Sequence, residues 1–367
     1  MLVLGILLII IIAVFLFIML HPVFGKKPSK QDTNEYGAIK HYNKGVFINQ
    51  IETAMTTDLR SMLPVLREFL KGNPHRQPKK AIPINSLQLD ENINLETKVT
   101  WFGHSSLLIE LDGRRILLDP MFGAAPSPIP WFGNKRYSKK LSFEIEELPQ
   151  IDLVVLSHDH YDHLDYGTIK QLKHKVKQFA VPLGVAGHLK RWGVESERIQ
   201  ECNWWDEIQA SGISLICAPA RHFSGRSLND RNSTLWCSWV IKGKQSNIYF
   251  SGDSGYGPHF KEIGDQCGPF DLSLMECGQY HEKWAAIHMM PEETVQAHID
   301  VRGAVMIPIH WGAFTLSLHD WTDPVERAVN AATKLDVNIC TPQIGETVIL
   351  GRESFSSSKW WTEKTSI

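Results

Sequence analysis

Between Leu153 and Asp165 an apolar run ends at Ser157, and six residues then supply three imidazoles and two carboxylates: His158, Asp159, His160, Asp162 and His163. Packing gives no reason for such crowding, because each ring or carboxylate taken from water needs a hydrogen-bonding partner. A divalent ion is a common partner for them all, since neutral imidazole and carboxylate suit zinc, iron or manganese. In the pattern His-x-His-x-Asp-His a loop directs alternate side chains differently. His158 and His160 can then serve one ion while Asp162 and His163 serve a neighbour. The competing reading is an exposed polar loop. Three further candidates stand where apolar runs end: His222 after Ile213–Ala220, Asp253 after Asn247–Gly252, and His310 after Gly303–Ile309. Singly, each is as compatible with a structural polar residue as with a ligand. Together they complete two coordination shells.

Bringing these side chains together takes a framework of strands. β-rich runs occur at Val99–Trp101, Leu107–Leu111 and Arg115–Leu118, with Asp112-Gly113 as a hairpin turn between the last two. Buried-strand runs recur at Leu153–Leu156, Ile213–Ala218, Ile248–Phe250 and Val305–Ile309, and helices are expected at Tyr166–Lys177 and Pro291–Val301. Strands interleaved with helices indicate a layered α/β fold. Upstream, Ile51, Met55, Leu59, Met62, Leu66 and Phe69 recur at helical spacing, with Pro64 expected to divide them into two short helices.

The ordered set His158-x-His160-x-Asp162-His163, His222, Asp253 and His310 resembles the metallo-β-lactamase superfamily. Further runs are similar to its N-acyl phosphatidylethanolamine-hydrolysing phospholipase D branch. They are Thr100–Ser106, Leu118-Asp119-Pro120, Ser157–Asp165, Gly252–Tyr256, His288–Glu293 and Ile309–Gly312. The resemblance implies an αββα sandwich over residues 96–352 with a two-metal site at one edge. It also implies that His158, His160 and His222 bind a first zinc, that Asp162, His163 and His310 bind a second, and that Asp253 bridges them. His288 matches a histidine near the phosphate site of that family and, with Asp162, is the expected catalytic residue. Two zinc ions about 3.5–4 Å apart can hold a shared water and lower its pKa toward neutrality, giving a hydroxide that attacks phosphorus. Asp162 would orient that hydroxide or take its proton. Asp165 is a candidate to fix an imidazole by proximity, and His104 to support the site.

The framework is preceded by Leu2–Leu20, nineteen residues without a charged or polar side chain. At about 1.5 Å per residue they span roughly 28 Å, enough for a single transmembrane helix. A cleaved signal peptide is the rival, but no basic residue precedes the run and His21–Phe24 makes a poor cleavage site. Lys26, Lys27, Lys30, Lys40 and Lys44 all follow the run, which places the catalytic domain on the cytoplasmic side. Residues 21–95 form a membrane-proximal segment and 353–367 a polar, loose tail. Of the 367 residues, 43% are hydrophobic and the net charge is −2, which excludes a disordered chain and a broad nucleic-acid-binding face. The basic cluster Lys135, Arg136, Lys139 and Lys140 reads as solvated surface, and the tryptophan pairs read as packing. The six cysteines lack a CxxC pair and read as free thiols.

With the apolar helix, the resemblance implies a zinc-dependent, membrane-anchored phosphodiesterase of the phospholipase D type acting on N-acyl phosphatidylethanolamine-like lipids, with a membrane phospholipid as its partner. The alternatives are a hydrolase of a lactone or small phosphodiester, and a non-catalytic metal-binding membrane protein. A homo-oligomer is compatible with the sequence.

Overall fold

The computed structural model describes residues 2–54, 59–87, 89, 95–131, 133–351 and 358–362. The chain opens with helix α1 (Leu2–Leu20), which coincides with the apolar run, and no residue of Val3–Leu20 is buried. Then come α2 (Lys30–Tyr36), a hairpin of β1 (Tyr42–Asn43) and β2 (Val46–Phe47), and α3 (Leu59–Lys71). Pro64 does not divide α3: one helix runs through it, and the bond it forgoes is the one to the Arg60 carbonyl in the first turn. Ile51 lies before this helix, and Met55 lies outside the described residues.

Strands β3 (Lys98–Trp101), β4 (Leu107–Leu111), β5 (Arg114–Leu118), β6 (Ile151–Val155), β7 (Val176–Pro182) and β8 (Ile199–Cys202) follow, with α4 (Tyr166–Leu172) and α5 (Ala186–Arg191) between the later ones. Next are β9 (Glu207–Ala210), β10 (Ile213–Ala218), β11 (Ser238–Lys242), β12 (Asn247–Phe250), α6 (His259–Cys267), β13 (Phe270–Glu276), α7 (Pro291–Asp300) and β14 (Gly303–Ile309). Helix α8 (Asp323–Lys334) and β15 (Thr347–Ile349) complete the order. One sheet has seven strands in the order β15-β3-β4-β5-β6-β7-β8, the other six in the order β14-β13-β12-β11-β10-β9.

Period-two alternation builds the layers. Leu153 and Val155 of β6 join Leu107, Ile109, Leu215, Trp239, Leu272 and Ile307 in the core between the sheets. Val154 faces the other way, with Ile169 of α4 and Leu189 of α5. On the outer face of the six-stranded sheet, Val240, Tyr249 and Met306 pack with Phe260, Val295 and Ala331 of α6, α7 and α8. The result is the αββα sandwich. Asp112 and Gly113 both have positive φ, 51° and 74°, as the tight β4–β5 turn requires.

Four further expectations need correction. The helix expected over Tyr166–Lys177 ends at Leu172, because Val176–Pro182 pairs with β6 as a parallel strand. Arg136 is buried: its guanidinium donates to the carbonyls of Phe102, Met121 and Gly123 and lies 4.6 Å from the Phe314 ring centroid. Asp165 holds no imidazole; its carboxylate caps α4, accepting from Thr168 N–H at 2.7 Å. Within the segment expected to be loose, Trp360 and Trp361 are buried against Trp311, with ring centroids 5.4 and 5.6 Å away. The free thiols are all buried except Cys267, which is half-buried.

Candidate metal centre

The chemistry-bearing residues lie where strands end, along one edge of the sandwich. The loop after β6 carries His158, His160, Asp162 and His163; His222, Asp253 and His310 follow β10, β12 and β14. His104 lies between β3 and β4, Asp119 directly follows β5, and Glu276 closes β13. His104, Asp119 and His310 have φ of 54°, 37° and 66°, a left-handed backbone that costs about 1–3 kcal/mol per residue. Backbone bonds hold two of them: His310 N–H donates to the His104 carbonyl at 2.9 Å and His104 N–H to the Trp311 carbonyl at 2.8 Å. Gly278 lets the chain pass close by, since a Cβ there would lie 1.9 Å from the His310 carbonyl oxygen.

His160 Nδ1 lies 2.9 Å from His158 Nε2 and 3.2 Å from His222 Nε2. The other ring nitrogens of those two partners are already engaged. His222 Nδ1–H donates to the Ile287 carbonyl at 2.9 Å. His158 Nδ1–H donates to Ser157 Oγ at 2.9 Å, and Ser157 O–H donates to Asp119 at 2.5 Å. Both Nε2 atoms therefore turn a lone pair toward a single His160 nitrogen, which cannot satisfy both. His160 Nε2 itself is buried without a partner. A tetrahedral ion with bonds of about 2.0–2.1 Å spaces its ligand nitrogens about 3.3 Å apart, close to what is found. The donor set fits a divalent ion.

A second group brings together ligand atoms of His104, Asp162, His163 and His310, all within 4.8 Å of one another. Asp162 Oδ2 accepts from His104 Nε2–H at 2.8 Å and lies 3.5 Å from His163 Nε2. Asp253 stands between the two groups. Its Oδ2 is 3.1 Å from His163 Nε2, 3.8 Å from His222 Nε2 and 3.9 Å from His158 Nε2, and its Oδ1 is 3.0 Å from His310 Nδ1. All seven expected ligands are thus in one place.

Burial and the neighbouring imidazoles hold His158 and His222 well below the usual histidine value, which keeps both rings neutral. Burial also lowers His163, but Asp253, Asp162 and Asp119 together lift it well above that value. Against burial, His163 and its neighbours hold Asp162 and Asp253 well below the usual carboxylate range.

The supporting residues were less visible in sequence. Asp119 accepts from His163 Nδ1–H at 2.6 Å and from Ser157 N–H at 2.7 Å, fixing two candidate ligands at once. It stood in a recognised run, but nothing there said which ring it would meet. Replacing Asp119 with alanine should weaken divalent-metal binding by about 10–100-fold, as measured by chelator competition. Glu276 was not singled out at all. Its Oε1 accepts from His288 Nδ1–H at 2.8 Å, and burial pushes its carboxyl up to about 7 against that bond. Burial pulls His288 down, yet the Glu276 bond and charge leave its imidazole above the ordinary value. With Nδ1 engaged, Nε2 is the His288 atom left for the pocket.

A cavity of about 470 Å³ opens onto these atoms, lined by His160, Asp162, Phe223, Asp253, His288 and His310 among others. Beside it runs a groove of about 910 Å³ lined by Leu63, Leu66 and Phe69 of α3 and by Leu318. Met62, Trp284 and Leu316 line both.

A four-layer αββα sandwich with clustered histidines and aspartates at one edge defines a metal-dependent hydrolase, and the chain belongs to the metallo-β-lactamase superfamily. Its residues 114–311 match the Beta-lactamase superfamily domain. It is 33% identical over 305 residues to N-acyl-phosphatidylethanolamine-hydrolyzing phospholipase D 1 of Caenorhabditis elegans, covering 77% of this chain and 85% of that protein. It is 41% identical over 313 residues to an uncharacterized protein of Mycobacterium tuberculosis, covering 84% of each. Among solved structures, isothiocyanate hydrolase from Delia radicum gut bacteria is similar in fold, with a TM-score of 0.54 at 18% identity over 71% of this chain and 100% of that one.

Proposed function

We propose that this hydrolase is a membrane-anchored, zinc-dependent phosphodiesterase that cleaves N-acyl phosphatidylethanolamine-like phospholipids at the bond a phospholipase D cleaves. The observation that carries the reading is the shared wall of the metal cavity and the apolar groove. A phosphodiester can sit at one and acyl chains in the other, with Met62, Trp284 and Leu316 touching both. The nematode relative is named for this reaction.

His158, His160 and His222 would hold one zinc, Asp162, His163 and His310 the other, and Asp253 would serve both. Bound there, the ions supply Lewis-acid activation of water and of the phosphoryl group. The chain's own residues do the rest. Asp162, held by His104, is placed to take a proton from the attacking water. His288, held by Glu276, turns its Nε2 side toward the pocket, where it can meet the phosphoryl oxygens as charge builds on them. Met62 and Trp284 exclude solvent from the reacting end of the lipid.

The test uses the full chain in nanodiscs with N-acyl phosphatidylethanolamine, a lactone and bis(4-nitrophenyl) phosphate as substrates. Phosphatidic acid and N-acyl ethanolamine are the expected products, from protein holding about two zinc ions per chain. Lactone turnover without phospholipid turnover would replace this reading, and active protein free of transition metal would end it. The five lysines after α1 support a cytoplasmic domain, and on that reading a membrane-impermeant thiol reagent should leave a cysteine at Lys244→Cys unlabelled in intact cells. Labelling there reverses the topology.

A further inference from the structure

The residues that follow α1 are built into the metal-bearing loop. Arg191 Nη2–H donates to the Leu20 carbonyl at 2.7 Å, so the domain grips the last carbonyl of the apolar helix directly. Trp192 Nε1–H donates to the Pro22 carbonyl at 2.6 Å, and Val23 is buried. The Val23 carbonyl takes both Arg226 Nε–H and Nη2–H, at 3.2 and 3.1 Å. The same buried guanidinium donates through Nη1 to the carbonyls of Asp159 and Leu164, at 2.5 and 2.7 Å. One side chain thus ties the exit of α1 to both ends of the loop that bears His160, Asp162 and His163.

A second contact from the same segment belongs to the same connection. Lys26 N–H donates to His188 Nδ1 at 2.8 Å, which fixes the tautomer so that His188 Nε2–H donates to Asp159 Oδ2 at 3.1 Å. Asp159 also accepts from Gly225 N–H at 2.8 Å, reaching the loop that carries His222. Gly25 makes the approach possible. Its φ is +67°, and a Cβ there would lie 2.0 Å from His188 Nδ1. Trp192 and Tyr166 gather at the same exit with Arg191, Lys26 and Lys27, the aromatic and basic belt found where a helix leaves a bilayer.

We propose that Leu20–Lys26 is a positioning element of the metal centre, through which Arg226 and His188 hold the metal-bearing loop against the membrane end of α1. The inference rests on the proposed anchoring of α1 and not on the identity of the substrate. The metal edge is then docked at the headgroup surface and takes its set from that docking. A flexible tether would do neither.

The experiment uses the full chain in nanodiscs of zwitterionic and anionic phospholipid, with Gly25→Ala and Arg226→Met separately and together. In the metal-free chain, each single variant should speed amide exchange over residues 159–165 by about tenfold or more, while β10–β12 keep their protection. Each should also weaken zinc binding, read by chelator competition, by about tenfold. The double variant should be no worse than the worse single one, because both break one connection. Should Arg226→Met lose protection throughout both sheets, Gly25→Ala alone decides. Wild-type exchange and zinc affinity in Gly25→Ala, or additive losses in the double variant, would overturn the proposal. Neither readout needs a substrate, so the result stands apart from the success of the phosphodiesterase reading.

Discussion

If the proposed two-zinc centre holds, replacing Asp253 with alanine should lower the metal content from about two ions per chain toward none and reduce turnover by about three orders of magnitude. Its carboxylate lies within 3.1 Å of His163 Nε2 and 3.0 Å of His310 Nδ1 on one side, and within 4 Å of His158 and His222 on the other. Among the described residues Asp119 also comes close to a ring of each group, His158 and His163, but it meets His163 at Nδ1, on the side away from Asp253. Without it, buried imidazoles face one another with one negative charge fewer, and His163 loses the largest of the charges that lift it. Asp253→Asn keeps the shape and loses the charge, so it should also fail to hold two ions. Elemental analysis beside turnover of a soluble diester separates the outcomes. Full zinc content in Asp253→Ala would mean that the two groups bind independently and that the carboxylate does not join them.

The sequence pointed to this cluster because its candidate ligands are chemically conspicuous. Imidazoles and carboxylates crowd into His158–His163, and the three later candidates each close an apolar run. What stayed hidden is set by contacts between distant parts of the chain. Asp119 meets His163 across 44 positions, and Glu276 meets His288 across a 12-residue excursion from a strand not singled out in advance. Asp165 stood nearer in sequence, but an aspartate at the start of a helix finds the backbone N–H groups of its first turn first. The same limit explains the elements. A run such as Tyr166–Lys177 suits a helix locally, and only the free edge of β6 makes its end a strand. Arg136 read as surface because charge usually is, whereas three carbonyls and the Phe314 ring repay its burial.

If the proposed phospholipid is the substrate, replacing Leu66 and Phe69 together with serine should cut kcat/KM for long-chain lipid by about 30-fold, with bis(4-nitrophenyl) phosphate within about twofold of wild type. Both side chains line the groove, yet they are 51% and 59% exposed, so neither contributes much to the folded core. Their apolar area is covered only when something else covers it. An acyl chain lying along α3 would remove roughly 80 Å² of that area from water, about 2 kcal/mol, which is the expected loss. Chain length gives the sharper test. In wild type each methylene that enters the groove should add up to about 0.8 kcal/mol to transition-state binding, so kcat/KM rises steeply with acyl length until the groove is full. In the double serine variant that slope should flatten while the value for the shortest lipid stays near wild type. Equal losses on lipid and soluble diester would point to a displaced α3. An unchanged slope would mean that the acyl chains reach the metal cavity by a route that avoids this helix.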